Sequence, residues 1–211
     1  MTRRRMLGVV LSVCCLSAAA AYGEGQGSPA LQKPVKVSRE CFSPKVPGTW
    51  TELVAQSDLV VEFTVQASAG GEAEYYGAFT SVVTANTVTI TRVVYLAESA
   101  RAERGRQILV LTPGGRVDRG EYIEHVISEH SEPWSPGESY LVALKWESRL
   151  GAWRPTAQYE SVFRILPDDA LRSSGYGPIA RAGSRLGHAE TLSRVGEAVA
   201  YRTNAVSTTP P

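Results

Sequence analysis

Hydrophobic and polar positions alternate along the chain with most persistence between residues 57 and 96. Leu59, Val61, Phe63 and Val65 interleave with Val60, Glu62, Thr64 and Gln66. Side chains of a strand point to opposite faces at a period of two, so this spacing predicts a half-buried antiparallel strand with one apolar face. A second strand is predicted over residues 79–96. Its apolar positions are odd at Phe79, Val83 and Ala85 but even at Val88, Ile90, Val94 and Leu96. Such a change of phase throws the apolar set to solvent unless the backbone inserts a residue, which predicts a β-bulge near Asn86 and a sheet that curls toward a barrel. Arg92 falls on the inner phase and is expected at the barrel rim.

The rest of the chain reads as strands added to this pair. Residues 67–77, with Gly70-Gly71 and Tyr75-Tyr76, read as a long hairpin loop. The mixed charges of residues 97–106 read as a solvated loop. Residues 107–112 are apolar on both faces and so predict a central strand, which stops at the turn signal Pro113-Gly114-Gly115. Residues 122–127 are a further candidate strand, and residues 133–138 form a tight corner. Tyr140, Val142, Leu144 and Trp146 then share one face of a strand over residues 139–146. Residues 153–165 complete the sheet, with Pro155 pointing to an edge. Upstream, Thr49 and Glu52 make a capping box, and Trp50, Leu53 and Val54 share one face of a short helix. Near the C-terminus, Gly175-Tyr-Gly-Pro178 reads as a breaker. Leu192, Val195 and Val199 predict a weakly amphipathic helix over residues 188–201.

The N-terminus changes how composition is counted. Arg3-Arg4-Arg5, an apolar run over residues 6–16 and small residues up to Gly23 predict a secretory signal over residues 1–23, cleaved near Ala20 to Gly23. The run is too short to cross a bilayer comfortably, so no integral membrane span is expected once it is removed. Val13 stands where a lipoprotein signal has a small residue, which disfavours lipid attachment at Cys14 or Cys15. Taking the three signal arginines from 22 basic residues leaves 19 against 21 acidic ones, a formal net charge of about −2. That balance offers nothing to nucleic acid or to an anionic membrane. Cys41 is the one cysteine of the mature chain and has no internal partner. It is read as a small buried hydrophobe, or else as a thiol for pairing between chains. Residues 24–48 are expected as a flexible leader, 49–166 as the barrel domain and 167–211 as a C-terminal extension.

Four signatures occur in order: Leu53-Val-Ala-Gln-Ser-Asp-Leu-Val-Val61, a long Thr/Val strand, Leu111-Thr-Pro-Gly-Gly115, and Trp134-Ser-Pro-Gly-Glu-Ser-Tyr-Leu-Val142. Together they resemble a family of poorly characterised secreted bacterial proteins. The domain of that family is similar in layout to the OB-like barrel of netrin and metalloproteinase-inhibitor (TIMP-like) modules. The resemblance covers roughly residues 50–165. It implies a five- or six-stranded curled barrel, in the envelope or outside the cell, with no catalytic residues to carry over. The fold class expected is therefore all-β and mainly antiparallel, a small OB-like curled β-barrel with a short N-terminal helix and a C-terminal helix. A protease-inhibitor-like barrel is one alternative, but such inhibitors hold zinc through an N-terminal cysteine and carry disulfides. Cys41 lies well inside the expected mature N-terminus and lacks a partner cysteine.

Residues 124–130 hold the best catalytic lead, because His125, Glu129 and His130 combine imidazoles with a carboxylate as zinc sites do. The spacing departs from both helical zinc-protease patterns, and in an extended strand His125 and His130 point to opposite faces. A metal-dependent hydrolase using these three residues is an alternative reading, against a plain polar strand-to-loop segment. Gly137-Glu-Ser139-Tyr-Leu141 lacks the second glycine of a nucleophile elbow, and the neighbours Asp168 and Asp169 do not make an opposed carboxylate pair. No catalytic residue and no cofactor motif is therefore assigned. OB-like barrels bind through a curved face and its loops, which points to Tyr75, Tyr76, Arg116, Tyr122 and Trp134. The same aromatics could instead plug the barrel ends. The expected function is a secreted or periplasmic, non-enzymatic binding module whose partner is a protein or another envelope component.

Overall fold

The computed structural model describes residues 33–40, 46–74, 80–98, 100, 102–128 and 132–207. In chain order these form β1 (Val35–Glu40), α1 (Trp50–Gln56), β2 (Leu59–Glu74), β3 (Thr80–Leu96), β4 (Gln107–Pro113) and β5 (Gly115–Asp118). There follow β6 (Ile123–Ser128), β7 (Ser139–Glu147), β8 (Ala152–Pro155), a 3-10 turn (Gln158–Ser161) and β9 (Val162–Ile165). The chain finishes with β10 (Leu171–Arg172), α2 (Pro178–Leu186) and α3 (His188–Ser207). The main sheet runs β10-β9-β7-β2-β3-β4-β8, and β8 also pairs with β7, so five strands curl into a partly closed ring. Every pairing in that ring is antiparallel except β4 with β8, which meet only at Val110 and Trp153. A second sheet, β1-β6-β5, lies beside it. The protein is thus mainly antiparallel β with a short N-terminal and a longer C-terminal helix, as its alternation predicts.

The ring interior is filled by the phase that the sequence pattern marks. Leu59, Val61, Phe63 and Val65 of β2 meet Val88 and Ile90 of β3, Val110 of β4, and Tyr140, Val142 and Leu144 of β7. The opposite face of β2 and β7 is covered rather than wet. Val60, Leu141 and Ala143 pack under Leu53 and Val54 of α1 and Val195 and Ala198 of α3. Thr49 accepts the Glu52 N–H at the start of α1, while the Glu52 carboxylate takes the Gly48 N–H at 2.6 Å. The reciprocal capping bond therefore reaches one residue further back than a standard capping box does.

The expected bulge at Asn86 is corrected. Pairing of β3 with β4 runs unbroken from Val83 to Thr89. The irregularity at this level lies on β2, where Gln66 is the extra residue opposite Thr87 and Val88, and β3 carries extra residues at Thr91 and Val94. Asn86 keeps the interior phase of Val88 and Ile90 and is fully buried. Its amide donates to the Val110 carbonyl and Thr112 Oγ1, and its Oδ1 accepts from Ser68. The apolar shift at Val83 and Ala85 has another cause. Their face packs against Leu111 and Ala152 in a separate small cluster, so β3 is covered on both faces there, with Asn86 on the other face. The extra residue at Thr91 turns Arg92 outward, 3.6 Å from Glu62.

Other boundaries also differ. Gly70 and Gly71 lie within β2, paired with Thr84 and Val83, rather than in a loop, and β5 comes so close that a Cβ at Gly70 would sit 1.8 Å from the Arg116 carbonyl oxygen. Within the expected leader, residues 35–40 pair in parallel with β6. Residues 153–165 are broken into β8, the 3-10 turn and β9, and β8 closes the ring instead of forming an edge. Pro155 sits at its last position, opposite Leu144. The breaker at Pro178 in fact opens α2, whose N-terminus is capped from afar by buried Glu160, which accepts the Tyr176 and Gly177 N–H groups at 2.8 Å. Among the described residues no helix is long and apolar enough to cross a membrane.

Candidate binding site

The two ends of the ring are finished differently. At one end the chain after β6 lays Trp134 across the interior, where it is 5% exposed. Its ring stacks on Tyr140 with centroids 5.1 Å apart and leans on Phe63 at 5.2 Å. Ser68 Oγ donates to the Trp134 carbonyl at 3.2 Å, tying the plug to β2. The Tyr140 hydroxyl donates to Glu138, which also pairs with Arg164 at 2.6 Å. Burial, and then the bond to Glu138, push the Tyr140 phenol above the ordinary tyrosine range. Trp134 therefore belongs to the core, and its indole is not presented to a partner.

The remaining expected binding residues fall on the second sheet, in the turn between β5 and β6, or outside the described residues. Arg116 of β5 and His125 of β6 are register partners, so their side chains share one face of that sheet. Both line a hollow of about 410 Å³ together with Gly114, Gly115, Val126 and Ser128. The Ser128 hydroxyl is buried there, with no hydrogen-bond partner among the described residues. Tyr122 carries the chain's own Lys36 ammonium 3.8 Å above its ring. Tyr75, Tyr76, Glu129 and His130 lie outside the described residues, so His125 is the one member of the metal triad that is placed. Among the described residues no group of three or more His, Cys, Asp or Glu side chains is arranged to hold a metal ion. His188, at the start of α3, is engaged by Glu62 at 3.0 Å and Asp169 at 3.3 Å.

The other end of the ring is a mouth. It is a cleft of about 400 Å³ lined by Asp58, Ala100, Arg106, Ile108, Trp146, Ser148 and Trp153. Trp146 continues the interior phase of Tyr140, Val142 and Leu144, but the pairing of β7 with β2 ends at Leu144, and beyond it the indole is 43% exposed. Its register partner across the β7–β8 hairpin is Trp153, and the two rings meet edge to face, 5.2 Å apart at 66°. Trp153 is buried in the ring interior and so braces the exposed indole from within. Asp58, just before β2, accepts the Trp146 backbone N–H on Oδ2 at 2.9 Å. The loop between β3 and β4 forms the facing wall through Ala100 and Arg106.

The sequence pattern places Trp146 on one strand face with Tyr140, Val142 and Leu144 and goes no further. The signal that could have singled it out is positional: it is the last interior-phase residue of its strand, and a second tryptophan follows across a short turn. What the mouth can do chemically is grip a flat group beside a carboxylate, a guanidinium and a hydroxyl. It offers an aromatic platform rather than an assembled acid, base and nucleophile. No protein-family model matches this chain, and no match is found among curated proteins.

Proposed function

We propose that this chain is a secreted or periplasmic, non-enzymatic binding module that holds a protein or envelope component at the open mouth of its barrel. The observation that carries the reading is the contrast between the ends of the ring. One is sealed by Trp134 as core, and the other presents Trp146 over a cleft of about 400 Å³. A large indole left in solvent beside convergent polar groups is the usual make-up of a small recognition site. The basic, apolar and small-residue order of residues 1–23 supports export to the compartment where such a partner is found.

The test is capture from the native envelope fraction with the mature chain as bait, comparing wild type with Trp146→Ala and Arg116→Ala. A partner held by wild type and by the arginine variant but lost with Trp146→Ala supports the mouth. Retention by Trp146→Ala together with loss by Arg116→Ala moves the binding face to the second sheet. No specific partner for any of the three overturns the proposal.

A further inference from the structure

We infer that the mouth takes a neutral sugar ring, as a saccharide unit of a glycan, with Trp146 as its stacking platform. The inference rests on the reading of the mouth as the binding site and adds the chemistry of what enters it. The platform comes first. An indole face carries the negative side of its quadrupole, which draws the polarised C–H groups on one face of a pyranose. The Trp146 ring is held at a fixed tilt by the edge-to-face contact with Trp153, so its exposed face is set before a ligand arrives. Little ordering cost then falls on binding.

Charge decides between ligand classes. Asp58 and Arg106 both line the cleft, so it carries one group of each sign. A cationic ligand drawn to the indole would meet the Arg106 guanidinium, and an anionic one would meet the Asp58 carboxylate. A neutral molecule rich in hydroxyls suits both, because each hydroxyl can donate to a carboxylate and accept from a guanidinium. Ser148 adds a third polar group of the same kind. The Trp146 N–H bond to Asp58 ties the carboxylate to the strand end that carries the platform, which fixes the spacing between the stacking and hydrogen-bonding parts of the site. A cleft of about 400 Å³ is within the range of small-molecule sites and has room for one ring and part of the next.

The experiment is calorimetric and fluorescence titration of the whole mature chain with cellobiose, maltose and di-N-acetylchitobiose, and with glucosamine and glucuronate as charged controls. At least one neutral disaccharide is expected to bind with a dissociation constant near or below about 1 mM. Each charged sugar is expected to bind at least about tenfold more weakly, a difference of about 1.4 kcal/mol. Trp146→Ala should abolish the signal, whereas Trp146→Phe keeps a smaller platform and part of the affinity. Asp58→Asn keeps an acceptor for the Trp146 N–H and should weaken binding without unseating the strand end. The inference is overturned if no neutral saccharide binds at about 10 mM, if binding survives Trp146→Ala, or if a charged control binds as tightly. Loss of an envelope partner by Trp146→Ala, with no competition from any of these sugars, would leave the binding-module reading standing and sink the sugar.

Discussion

Replacing Trp134 by alanine tests whether the sealed end of the ring is structural. The side chain is 5% exposed, and a tryptophan of roughly 200 Å² buried to that extent at ~25 cal/mol/Å² represents about 5 kcal/mol. Extended-chain references overstate such burial by about 10–40%, which brings the expected loss to about 3–4 kcal/mol, within the range measured for large aromatic truncations. The stacked contact with Tyr140 and the tilted one with Phe63 are part of that figure and are lost together. Trp146 at 43% exposure has a little over half as much surface to lose and leaves no enclosed cavity, so Trp146→Ala should cost only about 2 kcal/mol. Urea denaturation at constant slope reads both values. A Trp134→Ala protein within about 1 kcal/mol of wild type would refute the assignment of that indole to the core, and with it the argument from unequal ends.

Three further outcomes follow from named contacts. The folded state keeps the Tyr140 phenol protonated where an unfolded chain ionises it, so this contribution is whole below about pH 10 and is lost as pH rises beyond it. Tyr140→Phe should remove that alkaline fall, and should cost about 1 kcal/mol at neutral pH through the lost bond to Glu138, as followed by denaturation across pH. Glu160→Ala leaves the Tyr176 and Gly177 N–H groups without their carboxylate and should cost about 2–4 kcal/mol, with α2 losing hydrogen-exchange protection first. Gly70→Ala should detach β5 from β2 and speed exchange at residues 115–118, whereas Gly71→Ala, with open space around its Cβ position, should leave them unchanged.

Much of the ring was legible because a period of two survives in β2 and β7 and β4 is a short apolar run, and burying a face leaves the alternation little freedom. The helix over residues 188–201 was legible for a similar reason, although its buried line centres on Thr191, Val195 and Ala198 rather than on Leu192 and Val199. What sequence did not show were features set by distant partners. The α2 helix starts at a proline after two glycines and takes its cap from Glu160, about seventeen residues back, so no local signal marks it. The irregularity read at Asn86 belongs to Gln66 on the neighbouring strand, since one strand's phase change looks the same whether its backbone bulges or its second face finds its own apolar cover. Trp134 and Trp146 could not be told apart by composition. One lies where the chain folds back over the ring and the other where β7 has run past its pairing with β2, a difference made by topology alone.

The ring is fastened by a single stitch, the bridge between Val110 and Trp153. A closure that thin lets the cylinder loosen along one line while its antiparallel ladders stay zipped, so breathing and melting need not begin at the same temperature. Trp153 is both the stitch and the prop behind the indole at the mouth. Whatever settles there should therefore draw the seam tight, and amide protection along β4 and β8 would record its presence.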